Sequence, residues 1–310
     1  MPASRPGQFF LEALDSVLAQ DVEDLEIIVS DDSGGELEPL VRSRSDRRIR
    51  YVANPRRLGL AGNHCRALDL ASANYVAFIH DDDAWHEGYL SAALAAMQPD
   101  EGIGMVLVDM EEIDSCGHHL GLRPSMMSAG LQVDPLASFL RHDFLALVPS
   151  ASLFRRAALN GNVRPWPDVV AGDLTMYIDC ILGGWKVYHL AEPLVRYRVH
   201  PGQSSMERLP VNSAVVAVFS AYAFAHPDHE RRRVRRVVSA LVGRAAAHLR
   251  AGDVEEARSD LRDARRLGRG ERWFTATVLW LLSWLPTPAL VRLDPALRAV
   301  RDLVGRLRRH

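Results

Sequence analysis

The pattern of apolar and polar positions in the first 110 residues alternates between helical and strand-like segments. Helical segments carry an apolar side chain every three or four residues, whereas strand segments are short, β-branched apolar runs. Such alternation is typical of βαβ units around a largely parallel sheet, so the fold class is α/β. The pattern predicts helices at residues 9–19, 59–73 and 87–97, and strands at 25–30, 49–53, 75–80 and 104–110.

The pattern loosens beyond residue 114 and changes character near residue 211. The middle part predicts short helices at 133–141 and 174–182, and strands at 147–154, 186–190 and 195–199. From about residue 211 the chain is rich in Ala, Arg and Leu with helical periodicity, and residues 241–267 read as two helices around a Gly-Asp turn. We therefore expect a catalytic domain at 1–210 and an α-helical region at 211–310, with a helical hairpin at about 235–268.

Acidic side chains follow two of the predicted strands. Asp31 and Asp32 follow strand 25–30, and Asp81, Asp82 and Asp83 follow strand 75–80. Ligands of open α/β sheets bind outside the carboxyl ends of the strands. Both clusters are therefore expected on one rim of the sheet.

Three adjacent carboxylates are electrostatically unfavourable unless a positive charge lies near them. Oxygen ligands without a nearby cysteine suit Mg²⁺ or Mn²⁺, and Mg²⁺ commonly completes its shell with substrate phosphates. The alternative is a solvated acidic turn that caps the next helix. Position and spacing alone leave both interpretations open.

Composition narrows the functional class only slightly. The 310-residue chain is 48% hydrophobic and has a formal charge of -2, so no overall basic charge draws it to nucleic acid. Three cysteines without metal-ligand spacing fit a reducing, cytoplasmic setting, and no basic segment followed by an apolar run opens the chain. The apolar stretch 273–291 contains Pro286 and Pro288, so we do not expect a regular membrane-spanning helix there.

The order and spacing of several segments resemble the family 2 glycosyltransferases, which have the GT-A fold. The resemblance lies in LEIIVSDDSGG and NPRRLGLAGNHCRALDLASANYVAFIHDDDAWHEGYL, and continues through SASLFRRAAL and AGDLTMYIDCILGGWKVYHLAEPLVRYRVHPGQSS. It covers roughly residues 5–206. It implies a metal-dependent hexosyltransferase-type enzyme that uses a nucleotide-diphosphate sugar, as in polysaccharide biosynthesis.

The resemblance also implies roles for individual carboxylates. Asp32, with Asp31 beside it, would contact the donor nucleotide. Asp81 and Asp83 would form the Asp-x-Asp motif, which binds the donor through Asp81 and the metal through Asp83 and the middle residue, Asp82. Asp173 would be the catalytic base, and its alternative is an N-cap of helix 174–182.

Two basic side chains complete the predicted donor site. The resemblance places His200 where family members close over the metal and diphosphate. Arg66, on the helix before the metal strand, could reach the donor, although a surface role is the alternative. Arg196 and Arg198 alternate along a strand, so that one of them could face the diphosphate.

The main departure from the family lies at the amino terminus. Family members begin with an apolar inner strand, whereas residues 1–6 of this chain align with the loop after it, so the first strand is expected to be missing. Loss of an inner strand would expose unpaired backbone and an apolar face. We therefore expect the natural start to lie upstream of Met1, and donor binding to be impaired in the short form.

Residues 211–310 lie outside the resemblance. Arg231–Arg236, the basic tail at Arg306, Arg308 and Arg309, and the aromatic side chains of stretch 273–285 could form a surface for anionic lipid headgroups. A helical bundle with solvated arginines is the alternative. The first interpretation predicts peripheral contact with the inner face of the membrane.

The sequence thus predicts an inverting glycosyltransferase. It would transfer a sugar from a UDP- or dTDP-sugar to a hydroxyl of a glycan, lipid-linked or small-molecule acceptor. One alternative is a sugar-phosphate nucleotidyltransferase, which the single lysine, Lys186, disfavours. The other is a non-catalytic interaction protein built on a truncated transferase domain.

Overall fold

The structure is a computed structural model that describes residues 1–125, 127–141, 147–159, 170, 172–203, 207–268 and 271–284. The chain divides into two compact units, Met1–Met206 and Glu207–His310. The basic tail at Arg306, Arg308 and Arg309, and the end of the apolar stretch 273–291, lie outside the described residues.

A three-stranded parallel sheet forms the first part of unit 1. Its strands are β1 (Pro2–Ala3), β2 (Ile27–Asp31) and β3 (Ile49–Ala53), in that spatial order. Helices α1 (Gln8–Leu18), α2 (Glu38–Arg42) and α3 (Gly59–Leu70) alternate with them along the chain. This βαβ succession confirms the alternation predicted from the sequence.

A seven-stranded mixed sheet forms the second part of unit 1. Its central order is β4-β9-β6-β10-β5, with β7 paired to β6 and β8 to β10. These strands are β4 (Tyr75–Ala77), β5 (Ala84–Trp85), β6 (Ile103–Ile113), β7 (His119–Arg123), β8 (Gly130–Leu131), β9 (Ser152–Arg155) and β10 (Lys186–Arg198). The helices of this part are α4 (Tyr89–Met97), α5 (Pro135–Arg141), α6 (Arg156–Leu159) and α7 (Leu174–Leu182).

The α/β architecture is confirmed, but the seven-stranded sheet is mixed rather than largely parallel, because β6 and β10 form its one parallel pair among the described residues. Two predicted strands also differ in detail. The strand predicted at 75–80 is shorter and pairs antiparallel with β9, so it belongs to the mixed sheet. The two strands predicted at 186–190 and 195–199 are one strand, β10, with register irregularities around Pro193. Proline lacks a backbone N–H, which explains why the sequence pattern breaks at that point.

The prediction that no strand precedes residue 5 is wrong in detail. Pro2 pairs with Ser30 and Ala3 with Asp31, both in parallel. The Met1 amino group also donates to the Ile28 carbonyl at 2.8 Å, which extends this short ladder. Two residues thus suffice to place the backbone of residues 2–5 beside the carboxyl end of β2.

β1 pairs only with the carboxyl end of β2, and β4 lies at the edge of the seven-stranded sheet. A cavity of about 430 Å³ lies between β2 and β4. Its lining is mostly apolar and includes Ile27, Ile28, Val76, Phe78 and Leu94. The apolar face that the sequence predicted for a missing first strand therefore lies beside the two-residue strand β1.

One continuous core holds the two sheets and their helices together. It combines Phe10 and Leu14 of α1 with Tyr89 of α4 and with Val29 and Val106 of the strands, all of them fully buried. Burial of side chains of this size contributes roughly 1.5–3 kcal/mol each. The core fixes α1 and α4 next to the strand ends that carry the acidic clusters.

Unit 2 is helical in its described part, with α8 (Arg208–Ser220), α9 (Pro227–Ala251), α10 (Val254–Leu267) and α11 (Glu271–Leu282). Gly252, with φ of 90°, ends α9 in the left-handed conformation that glycine tolerates best. No helix in the described residues has both the length and the apolar character needed to cross a bilayer.

The basic run in α9 is partly neutralised within its own helix. Arg231 pairs with Asp228, and Arg233 pairs with Glu230. Arg236 lies over the Phe219 ring at 5.1 Å from its centroid. Three arginines of the run therefore already have partners in unit 2.

Gly104 tests the close packing of β6 against the connection to β10. A Cβ at this position would lie 2.5 Å from Trp185 Cβ, an atom that cannot move without the backbone. We expect Gly104→Ala to lower the free energy of unfolding by about 1–3 kcal/mol in urea denaturation. Gly88→Ala is the control, because the atom nearest to its new Cβ would be Ser91 Oγ at 4.0 Å. Equal effects of the two substitutions would contradict the packing argument.

Candidate active site

Antiparallel pairing between β5 and β10 positions the three aspartates. Ala84 lies opposite Arg196, and Trp85 lies opposite Val195. Because the strands run in opposite directions, residues just before β5 lie beside residues at the carboxyl end of β10. Asp81, Asp82 and Asp83 therefore lie next to Arg198 and His200.

Asp81 binds the loop that follows β1. Its Oδ2 accepts hydrogen bonds from the backbone N–H groups of Ser4 at 3.0 Å and Arg5 at 3.1 Å. Its Oδ1 accepts a third hydrogen bond from Arg5 Nη2 at 2.7 Å. Asp81 thus serves as the anchor of residues 4 and 5.

Asp82 has one engaged and one open carboxylate oxygen. Arg5 Nη2 donates to Oδ2 at 2.7 Å, and His200 Nε2 lies 3.1 Å from the same atom. No hydrogen bond to Oδ1 is found among the described residues. Burial alone would raise the pKa of Asp82, but His80, Arg5 and His200 together hold it below its ordinary value.

Asp83 is the most deeply buried of the three, with 1% exposure. Ser150 Oγ donates to its Oδ2 at 2.6 Å, and the Arg198 backbone N–H donates to its Oδ1 at 3.1 Å. Burial, followed by the charge of neighbouring Asp82, raises the pKa of Asp83 above its ordinary value. A cation at this position would favour the ionised form.

Arg198 is a buried arginine that holds the aspartates in place. It is 1% exposed, and its Nε donates to the Asp82 carbonyl at 3.0 Å. Its Nη1 donates to the Asp114 carbonyl at 3.2 Å, its Nη2 donates to Glu12, and its guanidinium lies over the Phe9 ring. These contacts make Arg198 a positioning residue for Asp82 and Asp83.

The Asp31–Asp32 cluster organises the other half of the rim. Asp32 Oδ1 accepts from the Leu58 N–H at 2.7 Å and Oδ2 from the Gly59 N–H at 2.9 Å, which places the carboxylate at the amino end of α3. Asn54 Nδ2 also donates to Asp32 Oδ1. Asp31 accepts hydrogen bonds from the Ser33 N–H and the Tyr51 hydroxyl, both at 2.6 Å. Burial, followed by hydrogen bonding to Asp31, raises the pKa of Tyr51.

Residues 3–5 join the two acidic clusters. The Asp32 N–H donates to the Ala3 carbonyl at 2.8 Å, and the next two N–H groups of the chain donate to Asp81. Asn63 Nδ2 donates to the carbonyls of Ala3 and Ser30 across the same junction. The two acidic clusters therefore follow strands of two different sheets rather than one, and the residues of β1 and the loop after it connect them.

Asp173 occupies the N-cap position of α7 but makes no side-chain capping hydrogen bond. The residue is half-buried, and desolvation raises the pKa of its carboxyl to about 6. The charge of His80 lowers the pKa of both Asp173 and Asp82, which places His80 near the two carboxyls. Asp173 is thus a carboxyl of raised pKa near His80.

The donor set near Asp82 fits a divalent cation. One ligand atom each of His80, Asp82 and Asp83 lie within 4.8 Å of one another. Two carboxylates and one imidazole suit Mn²⁺ or Mg²⁺, and Asp82 Oδ1 offers an acceptor that no described residue engages. These residues therefore fit the metal that the resemblance implies.

Several residues of this site are absent from the prediction. Arg5, His80 and Ser150 contact the aspartates, but no local sequence signal links them to the site. Conversely, Arg66 is exposed on α3 and forms no ion pair with a described residue. The structure thus does not bring Arg66 to the aspartates.

Comparison with known proteins assigns the chain to a family. Residues 1–161, more than half of the chain, match the family described as Glycosyl transferase family 2. The chain belongs to this family. The GT-A-type fold implied by the sequence resemblance agrees with this assignment.

Curated relatives of this family 2 chain come from bacteria. Over 62% of the chain and 61% of the relative, it is 32% identical to GalNAc(5)-diNAcBac-PP-undecaprenol beta-1,3-glucosyltransferase of Campylobacter jejuni. Over 32% of the chain and 36% of the relative, it is 36% identical to the putative colanic acid biosynthesis glycosyl transferase WcaA of Escherichia coli K12. The matches thus span about one to two thirds of these relatives' length.

Solved structures share the fold of this family 2 chain at low sequence identity. S. aureus TarS 1-349, crystallised with UDP-GlcNAc, has a TM-score of 0.69 at 15% identity. The match covers 91% of this chain and 87% of the TarS chain. The mannosyltransferase PcManGT from Pyrobaculum calidifontis, solved with GDP-Man and Mn²⁺, has a TM-score of 0.58 at 17% identity. This match covers 97% of this chain and 85% of the PcManGT chain.

The role of Arg198 can be tested with Arg198→Met. This variant removes the Arg198 donor from the Asp82 carbonyl and from Glu12 Oε2, and one of the two donors of the Asp114 carbonyl, so we expect the free energy of unfolding to fall by about 3 kcal/mol. Arg196→Met, at a side chain that is 43% exposed, should change it by less than about 0.5 kcal/mol. Chemical denaturation followed by tryptophan fluorescence measures both, and equal effects would argue against a special role for Arg198.

Proposed function

We propose that this protein is an inverting glycosyltransferase that transfers a sugar from a nucleotide-diphosphate sugar to an acceptor hydroxyl. The observation that carries the proposal is the junction at residues 3–5. There the Asp31–Asp32 cluster meets a His80, Asp82 and Asp83 donor set that fits a divalent cation. Membership of glycosyl transferase family 2 supports this interpretation.

On this proposal, Asp82 and Asp83 hold Mg²⁺ or Mn²⁺, with Asp81 fixing the adjoining loop. The metal would neutralise charge on the departing diphosphate. His200, whose Nε2 lies 3.1 Å from Asp82 Oδ2, would contact the diphosphate next to the metal. Asp31 and Asp32 border the nucleotide position, where Asp32 keeps one of about four carboxylate acceptor sites unengaged.

Asp173 is proposed as the catalytic base. The acceptor oxygen attacks the anomeric carbon, and its proton passes to the Asp173 carboxylate. As the new carbon–oxygen bond forms, the bond to the diphosphate breaks and the nucleoside diphosphate leaves with the electron pair. A single displacement of this kind inverts the configuration at the anomeric carbon.

The names of the relatives suggest a substrate class. One relative acts on a GalNAc(5)-diNAcBac-PP-undecaprenol acceptor, and another is named a UDP-Glc:alpha-D-GlcNAc-diphosphoundecaprenol beta-1,3-glucosyltransferase. We therefore favour a UDP-sugar over a dTDP-sugar and a lipid-linked glycan as the acceptor. Such an acceptor would bring a cytoplasmic enzyme to the inner membrane face, with unit 2 as the contact proposed from the sequence.

The nucleotidyltransferase alternative finds no support in the position of Lys186. This lysine lies at the first residue of β10 and pairs with Asp100 at 2.7 Å. The acidic site lies at the other end of the same 13-residue strand, roughly 40 Å away at the usual rise per residue. The lysine is therefore too far away to bind a phosphate there.

The non-catalytic alternative is tested by a thermal-shift panel of UDP, UDP-glucose, UDP-GlcNAc, dTDP-glucose and GDP-mannose, with and without Mn²⁺. We expect stabilisation by UDP and UDP-sugars only with Mn²⁺, by about 2.7 kcal/mol at a hundredfold excess over Kd. Asp82→Asn should abolish the metal-dependent part. The exposed Asp69→Asn is the control and should keep it. No shift with any nucleotide would favour the non-catalytic protein.

The proposed base predicts a pH profile. Because Asp173 must be ionised to accept a proton, kcat/KM should rise with pH up to a pKa of about 6 and then level off. Asp173→Asn should reduce kcat by about 10²–10⁴-fold while leaving the Mn²⁺-dependent UDP shift intact. Initial rates across pH 4.5–8 measure the profile, and a variant with more than a tenth of wild-type kcat would exclude this role.

A further inference from the structure

Arg5 provides positive charge at the position where the proposed function requires a metal. Its Nη2 lies 2.7 Å from Asp81 Oδ1 and 2.7 Å from Asp82 Oδ2, so one nitrogen bridges two of the three aspartates. The guanidinium thereby offsets the repulsion between these carboxylates, which are 7% and 6% exposed. In this arrangement Arg5 is an intramolecular counter-cation of the acidic site.

A divalent cation and Arg5 would compete for Asp82. Both are attracted to the same carboxylate, and like charges a few ångströms apart repel each other. A cation bound by Asp82 and Asp83 would therefore weaken the contact between Arg5 and Asp82 Oδ2. The contact of Arg5 with Asp82 Oδ2 and the binding of a metal by the same carboxylate therefore oppose each other.

The Arg5 side chain is suited to move. It is 50% exposed and lies in the loop between β1 and α1. Its Nε and Nη1 groups make no hydrogen bond to a described residue, so three of its five N–H donors are available. The backbone N–H of Arg5 stays on Asp81 Oδ2, which keeps the guanidinium within reach of the site when it leaves Asp82.

The ligand that would receive Arg5 is the diphosphate. A planar guanidinium with several open donors matches phosphate oxygens in a bidentate manner. We propose that Arg5 neutralises Asp81 and Asp82 in the donor-free protein, yields Asp82 to the metal, and then binds the donor diphosphate. This inference rests on the proposed metal-dependent function and adds a diphosphate-binding residue to it.

If Arg5 moves from Asp82 to the diphosphate in this way, Arg5→Gln should change the affinities for Mn²⁺ and for UDP in opposite directions. Without nucleotide, Mn²⁺ should bind about fivefold more tightly, because the competing charge of a half-exposed ion pair is gone. With saturating Mn²⁺, UDP should bind about tenfold more weakly, because a charged hydrogen bond to phosphate is lost. Electron paramagnetic resonance of free Mn²⁺ measures the first affinity, and titration calorimetry with UDP measures the second.

Two further variants sharpen the test. Arg5→Lys keeps the charge but not the planar geometry, so Mn²⁺ affinity should stay near wild type while UDP affinity falls. Arg47→Gln removes an exposed arginine that has no ion pair among the described residues, and should change neither affinity. Circular dichroism of each variant checks that it is folded.

The outcomes separate this inference from the function on which it rests. If Arg5→Gln weakens both affinities, Arg5 is a fixed structural clamp and the exchange is wrong. If it changes neither, while the wild-type protein binds UDP with Mn²⁺, the exchange is also wrong and the proposed function stands. If the folded wild-type and variant proteins bind neither Mn²⁺ nor UDP, the proposed function fails and this inference fails with it.

Discussion

Unit 1 depends on accommodating three consecutive, nearly buried carboxylates. Asp81, Asp82 and Asp83 are 7%, 6% and 1% exposed, and a buried charge without partners is strongly unfavourable. Each carboxylate has a different set of partners. Asp81 accepts from backbone N–H groups and Arg5, Asp82 contacts the Arg5 and His200 side chains, and Asp83 accepts from a serine hydroxyl and a backbone N–H. The partners come from residues 4–5, 150 and 198–200. The topology of unit 1 thus brings residues that are distant in sequence to the three carboxylates.

These partners do not fully offset the cost of burying the three carboxylates, and the repulsion that remains favours cation binding. The pKa of Asp83 is raised because burial and Asp82 outweigh its two hydrogen bonds. A site of this kind gains more from a bound cation than a fully neutralised one would, because the cation removes the remaining repulsion. A buried arginine at the end of β10 contributes rigidity without filling the site, since its donors point to backbone carbonyls and Glu12.

Local patterns in the sequence predicted the parts of the fold that depend on local interactions. The helices at α1, α3 and α7 and strand β3 follow from apolar periodicity, and the acidic clusters follow from their positions after strands. Arg5, Ser150 and the pairing of β4 with β9 could not be predicted in this way, because each depends on contacts between residues about 70 or more positions apart. The two-residue strand β1 was missed because two residues carry no periodicity.

The hydrogen bonds also distinguish between carboxylates that shape the site and carboxylates that face a ligand. Asp32 and Asp83 accept hydrogen bonds on both oxygens, so much of their capacity is used to hold the amino end of α3 and the β5–β10 junction. No described residue donates to Asp82 Oδ1, and Asp173 stands at a helix start without a side-chain capping hydrogen bond. A carboxylate oxygen that no described residue engages retains its capacity for a cation or a proton. This difference, rather than acidity alone, favours Asp82 for the metal and Asp173 for the proton.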